Sequence, residues 1–253
     1  MKNYILLVKL LFKIHKQHYT LSNTSIHLFL LSKISYFVTP FFIYLKIRPN
    51  FVTMINFILS VISVFILFFL PNYFVWAILI NVIYKILDFV DGSIARYNSI
   101  STFHGKFIDG LADIFYQSFF LLSLSIYYFN LSGDYKLFCL GLFSSLITCF
   151  DTFIYDRYSA MVRWMNKDLK KNFKPYLKSQ KNFQFKIFLF YSDILFFLTV
   201  LLLYNHLSYG DSTLNFLFIF LITIIAGLHN IIFHLLSSFK NLNYFSKIKP
   251  TRN

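Results

Sequence analysis

The stretch DFVDGSIAR, residues 88–96, is followed after eight residues by GKFIDGLAD, residues 105–113. Together they place four aspartates inside a sequence that is otherwise largely apolar. The first two aspartates are three residues apart and the last two are four apart, so each pair shares one face of a helix. Two such helices joined by a short polar turn bring the four carboxylates together. The four are Asp88, Asp91, Asp109 and Asp113.

The composition is that of an integral membrane protein. The 253 residues are 57% hydrophobic and 22% aromatic, and the mean hydropathy is +0.61. These values are too apolar for a soluble domain, and several apolar segments are long enough to cross a bilayer. We therefore predict an all-α integral membrane protein with one membrane domain.

Four carboxylates at membrane depth need a compensating charge. One carboxylate costs about 2.5–3.5 kcal/mol there, so four cost roughly 10 kcal/mol before their mutual repulsion. Divalent cations that prefer hard oxygen ligands offset this cost directly. The alternative is pairing with basic side chains, of which Lys85, Arg96 and Lys106 are near in sequence.

The apolar runs predict six transmembrane helices preceded by N-terminal amphipathic, interfacial helices. Residues 1–19 place lysines among apolar residues, which is typical of a basic helix on an anionic membrane surface. Residues 25–47 are interrupted by Lys33, Pro40 and Lys46, which favours a bent interfacial helix and leaves a seventh span open. The predicted domains are an interfacial segment at 1–47, a six-helix membrane domain at 48–240 and a basic tail at 241–253.

The basic residues lie almost entirely on one side of this topology. Of the 24 lysines and arginines, only Lys136 falls near a loop on the opposite side. By the positive-inside rule the basic side, which holds both termini and the four aspartates, is cytoplasmic. The formal net charge of +14 is then a signal of topology and of attraction to anionic lipid, and we expect no nucleic-acid partner.

The pattern D-x-x-D-G-x-x-A-R, eight residues, then G-x-x-x-D-x-x-x-D resembles the signature of the CDP-alcohol phosphotransferase (CDP-alcohol phosphatidyltransferase) family. The upstream Pro49-Asn50-x-x-Thr53 is similar to the element that often opens the first span in that family. Every signature position is present, namely Asp88, Asp91, Gly92, Ala95, Arg96, Gly105, Asp109 and Asp113.

The resemblance implies a reaction of phospholipid biosynthesis. A CDP-alcohol, usually CDP-diacylglycerol, gives its substituted phosphoryl group to an alcohol, and CMP leaves. The four aspartates would ligate a pair of Mg²⁺ or Mn²⁺ ions, and Asp113 would also be the general base for the acceptor hydroxyl. Gly92, Ala95 and Gly105 would let the nucleotide approach closely, and Arg96 would contact the donor. Family members are often dimers, which implies a homodimer here.

Three further basic residues are candidate contacts for a substrate phosphate: Arg157, Arg163 and Lys85. Arginine suits bidentate phosphate contacts, although both arginines also fit as positive-inside anchors. Lys85, one turn before Asp88, either pairs with a nearby carboxylate or contacts a phosphate. Farther along the chain, Asp193 is predicted to pair with Lys186 or another base, and Asn230 to make interhelical hydrogen bonds.

Two other functions also place aspartates in a membrane. A divalent-cation transporter does so, but it should carry acids or broken helices at mid-bilayer. An intramembrane prenyltransferase uses Mg²⁺ and a pyrophosphate donor, but it does not explain the spacing of Gly92 and Gly105. The acceptor stays open among glycerol 3-phosphate, serine, an inositol or its phosphate, choline and other alcohols. The donor stays open between CDP-diacylglycerol and a CDP-amino-alcohol.

Overall fold

The computed structural model describes residue 8 and residues 25–98, 103–169, 183–208 and 210–245. Every element of two or more residues within these ranges is helical, which confirms the all-α prediction. Several predicted features lie outside the described residues: most of the amphipathic helix at 1–19, the middle of the turn at 99–102, much of the basic loop at 170–182 and the end of the tail at 246–253.

Seven long helices make up the described fold. A Pro at the first position of α2 suits a helix start, because its fixed φ is helical and its missing N–H has no partner there. Gly133 adopts a φ of +68° in the turn after α4, a conformation that glycine reaches without strain. The helices are α1 (Ile26–Tyr44), α2 (Pro49–Phe69), α3 (Phe74–Tyr97, after a 3₁₀ turn at Pro71–Tyr73), α4 (Phe103–Ser132), α5 (Tyr135–Leu169), α6 (Phe183–Leu207) and α7 (Thr213–Phe245).

All seven helices are long and apolar enough to cross a membrane. The integral membrane class is therefore confirmed, and the described residues contain seven candidate spans where six were expected. The additional candidate is α1, which continues through Pro40. The ammonium of Lys33 lies 4.8 Å and 5.3 Å from the ring centroids of Phe29 and Tyr36, which compensates its charge at membrane depth.

Helix α1 packs against α3 and also contacts α6. Near its start, His27 is hydrogen-bonded to Asp193 of α6. Near its end, Phe42 packs against a cluster that includes Leu87, Val90 and Ile94 of α3. The interfacial placement of this helix therefore stays a prediction, because length and composition alone also admit a span.

The two ends of the bundle differ in packing. We call the end where α3 ends at Tyr97 and α4 begins at Phe103 the motif end, and the end where α4 ends and α5 begins the packed end. The main hydrophobic core lies toward the packed end and draws side chains from α2 to α7. Its members with the least exposure are Leu67, Phe74, Ala77, Leu124, Tyr127, Leu202, Phe216 and Phe220.

Helix α2 packs against both α3 and α4 and so sets the positions of the two motif helices. Its pairing with α3 is antiparallel, since Thr53 bonds to Asp91 whereas Ser63 bonds to the Ala77 carbonyl.

At the packed end, hydrogen bonds from the Thr213 side chain and backbone lower the pKa of Asp211 in the turn that starts α7.

Candidate active site

Three carboxylates converge at the motif end. One oxygen from each of Asp88, Asp91 and Asp109 lies within 4.8 Å of the others. The first two lie on the last turns of α3 and the third lies near the start of α4, so the shared packing on α2 brings them together. Asp91 is buried and the other two are half-buried. The cluster thus combines a low-dielectric environment with an opening toward the motif end.

Thr53 positions one member of this cluster. Its Oγ1 donates a hydrogen bond of 2.7 Å to Oδ2 of Asp91, and the same hydroxyl lies 3.2 Å from the Pro49 carbonyl oxygen. The Pro49-Asn50-x-x-Thr53 element therefore does more than open a helix. It holds a carboxylate that lies 38 residues later in the chain.

The donor set fits a hard divalent cation. Carboxylate oxygens are the ligands that Mg²⁺ and Mn²⁺ prefer, and the three gathered here repel one another without a cation. Asn56 adds a related observation, because its Oδ1 is buried and accepts no hydrogen bond from a described residue. The antiparallel pairing of α2 and α3 puts Asn56 one turn beyond Thr53, at the depth of Asp88.

Asp113 lies outside the group of three. Its Oδ1 accepts a hydrogen bond of 3.0 Å from the hydroxyl of Tyr84 on α3. The ring of Tyr84 stacks on Tyr116 of α4, with the centroids 4.0 Å apart. The structure therefore brings three predicted ligands together and gives the fourth aspartate a separate protein partner.

The predicted nucleotide-binding residues surround a small-residue surface on α3. The guanidinium of Arg96 folds back over Gly92, and a Cβ added at Gly92 would lie 3.4 Å from its terminal nitrogens. One of those nitrogens is 3.5 Å from Ser93 Oγ. Ala95 and Gly105 are half-buried. The guanidinium of Arg96 therefore occupies the space that the absent side chain of Gly92 leaves beside the acidic cluster.

Lys85 does not form the ion pair that its spacing offered. No carboxylate oxygen of a described residue lies within 4.0 Å of the Lys85 ammonium. The Lys85 ammonium instead lies 5.6 Å from the Tyr116 ring centroid. Asp88 and Asp113 are close enough to attract the Lys85 ammonium electrostatically. Lys85 therefore faces the acidic site without a direct ion pair to either carboxylate.

The two candidate arginines on α5 are less directly tied to the site. Arg157 is exposed and lies over the ring of Phe153, 5.1 Å from its centroid. The side chain of Arg163 is outside the described parts of the structure. Their neighbour Asp156 does face the motif helix, since a Cβ added at Gly110 would lie 3.7 Å from its Oδ2.

Other membrane-embedded polar residues join helices. Asp193 accepts hydrogen bonds from the backbone N–H groups of Ile26 and His27 and is 2.9 Å from His27 Nδ1. Its partner is therefore the start of α1, whereas the side chain of the expected partner Lys186 is not described. Asn230 donates a hydrogen bond of 3.2 Å to Asp151, which confirms its interhelical role.

Sequence reasoning missed the hydrogen bond of Tyr84, the buried amide oxygen of Asn56 and the partner of Thr53. A signal existed for Tyr84, which lies four residues before Asp88 and therefore on the same helix face. No signal in the sequence pairs Thr53 with Asp91, because that contact depends on how α2 packs against α3.

Comparison with known proteins assigns most of the chain to one family. The family model described as CDP-alcohol phosphatidyltransferase matches residues 46–234. That range runs from just before α2 to within α7 and contains all eight signature positions. No curated protein matches the chain.

Proposed function

Because the chain belongs to the CDP-alcohol phosphatidyltransferase family, we propose that it transfers a phosphatidyl group from a CDP-alcohol such as CDP-diacylglycerol to an alcohol acceptor. CMP is the second product, and the reaction is a step of phospholipid biosynthesis. The observation that carries this proposal is the meeting of three carboxylates within 4.8 Å, with a fourth aspartate nearby on the same helix face as Asp109.

The acidic cluster is the proposed metal centre. Asp88, Asp91 and Asp109, together with Asp113, would hold Mg²⁺ or Mn²⁺, in a pair as the family signature implies. When bound, such ions neutralise charge on a pyrophosphate and favour in-line displacement. Thr53 supports the centre by fixing the orientation of Asp91, as partners behind a metal ligand commonly do.

Asp113 is the proposed general base. It takes the proton from the acceptor hydroxyl, and the acceptor oxygen forms a new bond to the phosphorus that carries the lipid. The bond from that phosphorus to the bridging oxygen breaks, and CMP leaves with the electron pair. Support for this role comes from the position of Asp113, which is next to the cluster but bonded to Tyr84 rather than grouped with the three other carboxylates.

The donor and acceptor are assigned to different sides of this centre. Gly92, Ala95, Arg96 and Gly105 would receive the nucleotide, as the family signature implies, and the guanidinium of Arg96 already lies over Gly92. Arg157 and Arg163 are the proposed contacts for a phosphate on the acceptor, and Lys85 is the proposed contact for a phosphate of the donor. Lys85 has the strongest support of the three, since it faces Asp88 and Asp113.

We assign the motif end to the cytoplasmic face, where a soluble acceptor and a membrane lipid can both reach it. The support is the concentration of basic residues on this side of the predicted topology. With α1 interfacial, both termini would also be cytoplasmic. Reporter fusions at residue 1 and residue 253 test this, because a spanning α1 would put the two reporters on opposite sides.

The central experiment uses the purified full chain in lipid nanodiscs with CDP-diacylglycerol and a panel of labelled alcohols. We expect CMP release and one labelled phospholipid, both dependent on Mg²⁺ or Mn²⁺ and both abolished by a chelator. The Asp113→Asn variant serves as the blank. Absence of CMP release from every CDP-alcohol, together with metal uptake into sealed vesicles, would favour the transporter instead.

A further inference from the structure

We infer that Tyr84 is a positioning residue for Asp113, which it holds by one oxygen so that the other is presented to the acceptor hydroxyl. The inference rests on the proposed function and deepens it. Tyr84 is not a position of the signature that the sequence carries. Its assignment comes from the contact between α3 and α4.

The contact is direct and specific to one carboxylate oxygen. The Tyr84 hydroxyl donates to Oδ1 of Asp113 over 3.0 Å. No described residue donates a hydrogen bond to Oδ2. A carboxylate held at one oxygen loses rotational freedom, and its second oxygen then points in a defined direction. A general base needs this restriction, because it must lie within hydrogen-bond reach of the proton that it removes.

The tyrosine is itself held rigidly. Its side chain is only 3% exposed, and its ring stacks on Tyr116 with the planes 20° apart. Both tyrosines belong to the main hydrophobic core, which extends through Leu124 to the packed end. The hydroxyl thus projects from a fixed apolar wall, and the position of Asp113 is set by the core rather than by a mobile side chain.

The arrangement also sets Asp113 apart from the three other proposed metal ligands. Asp88, Asp91 and Asp109 offer oxygens within 4.8 Å of one another, and Asp113 is not in that group. Because Tyr84→Phe keeps all four carboxylates, loss of the tyrosine hydroxyl should impair the transfer step far more than it weakens metal affinity. A residue that only stabilised the fold would not separate these two quantities.

The test compares Tyr84→Phe with Tyr128→Phe. Tyr128 is also buried on the inner side of the bundle, on α4 with Asp113, and its hydroxyl donates a 3.0 Å hydrogen bond to Thr213 at the packed end. Each variant loses one buried hydroxyl and keeps its ring. Turnover in nanodiscs, KM for donor and acceptor, Mn²⁺ affinity by electron paramagnetic resonance and the melting temperature are measured for both.

For Tyr84→Phe we expect kcat to fall about 10- to 100-fold, as for loss of a hydrogen bond to a charged group. Both KM values and the Mn²⁺ affinity should stay within about threefold of the parent. The inference is overturned if kcat matches that of Tyr128→Phe, or if the Mn²⁺ affinity falls at least tenfold. If the parent chain itself releases no CMP from any CDP-alcohol, the proposed function fails first, and the Mn²⁺ data still report whether the centre binds metal.

Discussion

The two ends of α4 perform different tasks. Toward the packed end, Leu124 and Tyr127 are each 1% exposed, and the hydroxyl oxygen of Tyr127 lies 3.1 Å from His206 Nδ1. Toward the motif end, Asp109 and Asp113 are half-buried, and Asp109 lies beside the carboxylates of Asp88 and Asp91. Apolar and hydrogen-bonded contacts stabilise the first region, whereas repulsion between carboxylates opposes close packing of the second.

The boundary between these regions is the Tyr84–Tyr116 stack. Its rings belong to the hydrophobic core, while the Tyr84 hydroxyl belongs to the acidic site. A rigid core can therefore hold groups at the motif end in a geometry that they would not adopt on their own. We therefore expect the packed end to supply stability and the motif end to supply the proposed chemistry, and variants should separate the two.

The largest expected effect is on chemistry at the motif end. Asp113→Asn should lower turnover about 10²- to 10⁴-fold, because it removes the general base. The matched control is Asp151→Asn, which alters another membrane-embedded aspartate that is bonded to Asn230 instead of lying at the site. CMP release per folded molecule is the measurement. Equal losses in the two variants would contradict the assigned role of Asp113.

The next effect concerns stability at the packed end. Phe220 is completely buried, so Phe220→Ala should destabilise the fold by about 3 kcal/mol, near the low end for such a change. We expect a value near the low end of the range because a helix that separates from its neighbours in a membrane is still surrounded by apolar lipid. The variant therefore loses packing contacts but little hydrophobic transfer free energy. The control is Phe218→Ala, which truncates a ring that is 48% exposed. Reversible unfolding in mixed micelles measures both; similar values would mean that the packed end is not the stabilising region.

A smaller effect is expected where the motif end depends on α2. Thr53→Val removes the hydroxyl that holds Asp91 and should weaken metal affinity about 10- to 100-fold, as is typical for partners behind metal ligands. Thr223→Val is the control, since that buried hydroxyl bonds only to the Ile219 carbonyl of its own helix among the described residues. Mn²⁺ titration is the measurement. An unchanged affinity for Thr53→Val would rule out this support.

The smallest effect tests close packing between α4 and α5. A Cβ added at Gly141 would clash with Ser125 Cβ and would lie 2.9 Å from Phe220 Cζ. Gly141→Ala should therefore cost about 1–3 kcal/mol through overpacking. Gly110→Ala is the control at the motif end, where the nearest atom would be Asp156 Oδ2 at an ordinary 3.7 Å. The melting temperature should fall for Gly141→Ala and stay unchanged for Gly110→Ala. A fall for Gly110→Ala alone would contradict the assignment of stability to the packed end.

Much of the bundle was predictable from periodicity and hydropathy. The span expected at about residues 213–239 is α7 (Thr213–Phe245), and the one expected from Gly105 is α4, which begins at Phe103. Helix α5 is longer than the predicted span, since it continues to Leu169 whereas the span is expected to end near Tyr158. Hydropathy detects the part of a helix suited to lipid, and a polar extension beyond the membrane leaves no apolar signal.

The first helix shows a different limit. Lys33, Pro40 and Lys46 interrupt the apolar run at 25–47 and favour a bent interfacial helix, and α1 is one helix that continues through Lys33 and Pro40 to Tyr44. The ammonium of Lys33 lies over aromatic rings one turn away. The first turn of α1 is hydrogen-bonded to Asp193, more than 160 residues later in the chain. Local residue types cannot report a partner at that distance along the chain.

Helical periodicity and apolar length are local properties, so the amino-acid sequence is enough to predict the spacing of the signature, the helices that carry it and the membrane class. Which carboxylates meet, and the hydrogen bonds from Thr53 to Asp91 and from Tyr84 to Asp113, depend on how the helices pack. These contacts join different helices, and their geometry follows from how α2, α3 and α4 pack. Aspartates that are equivalent in the pattern therefore acquire different partners in the fold.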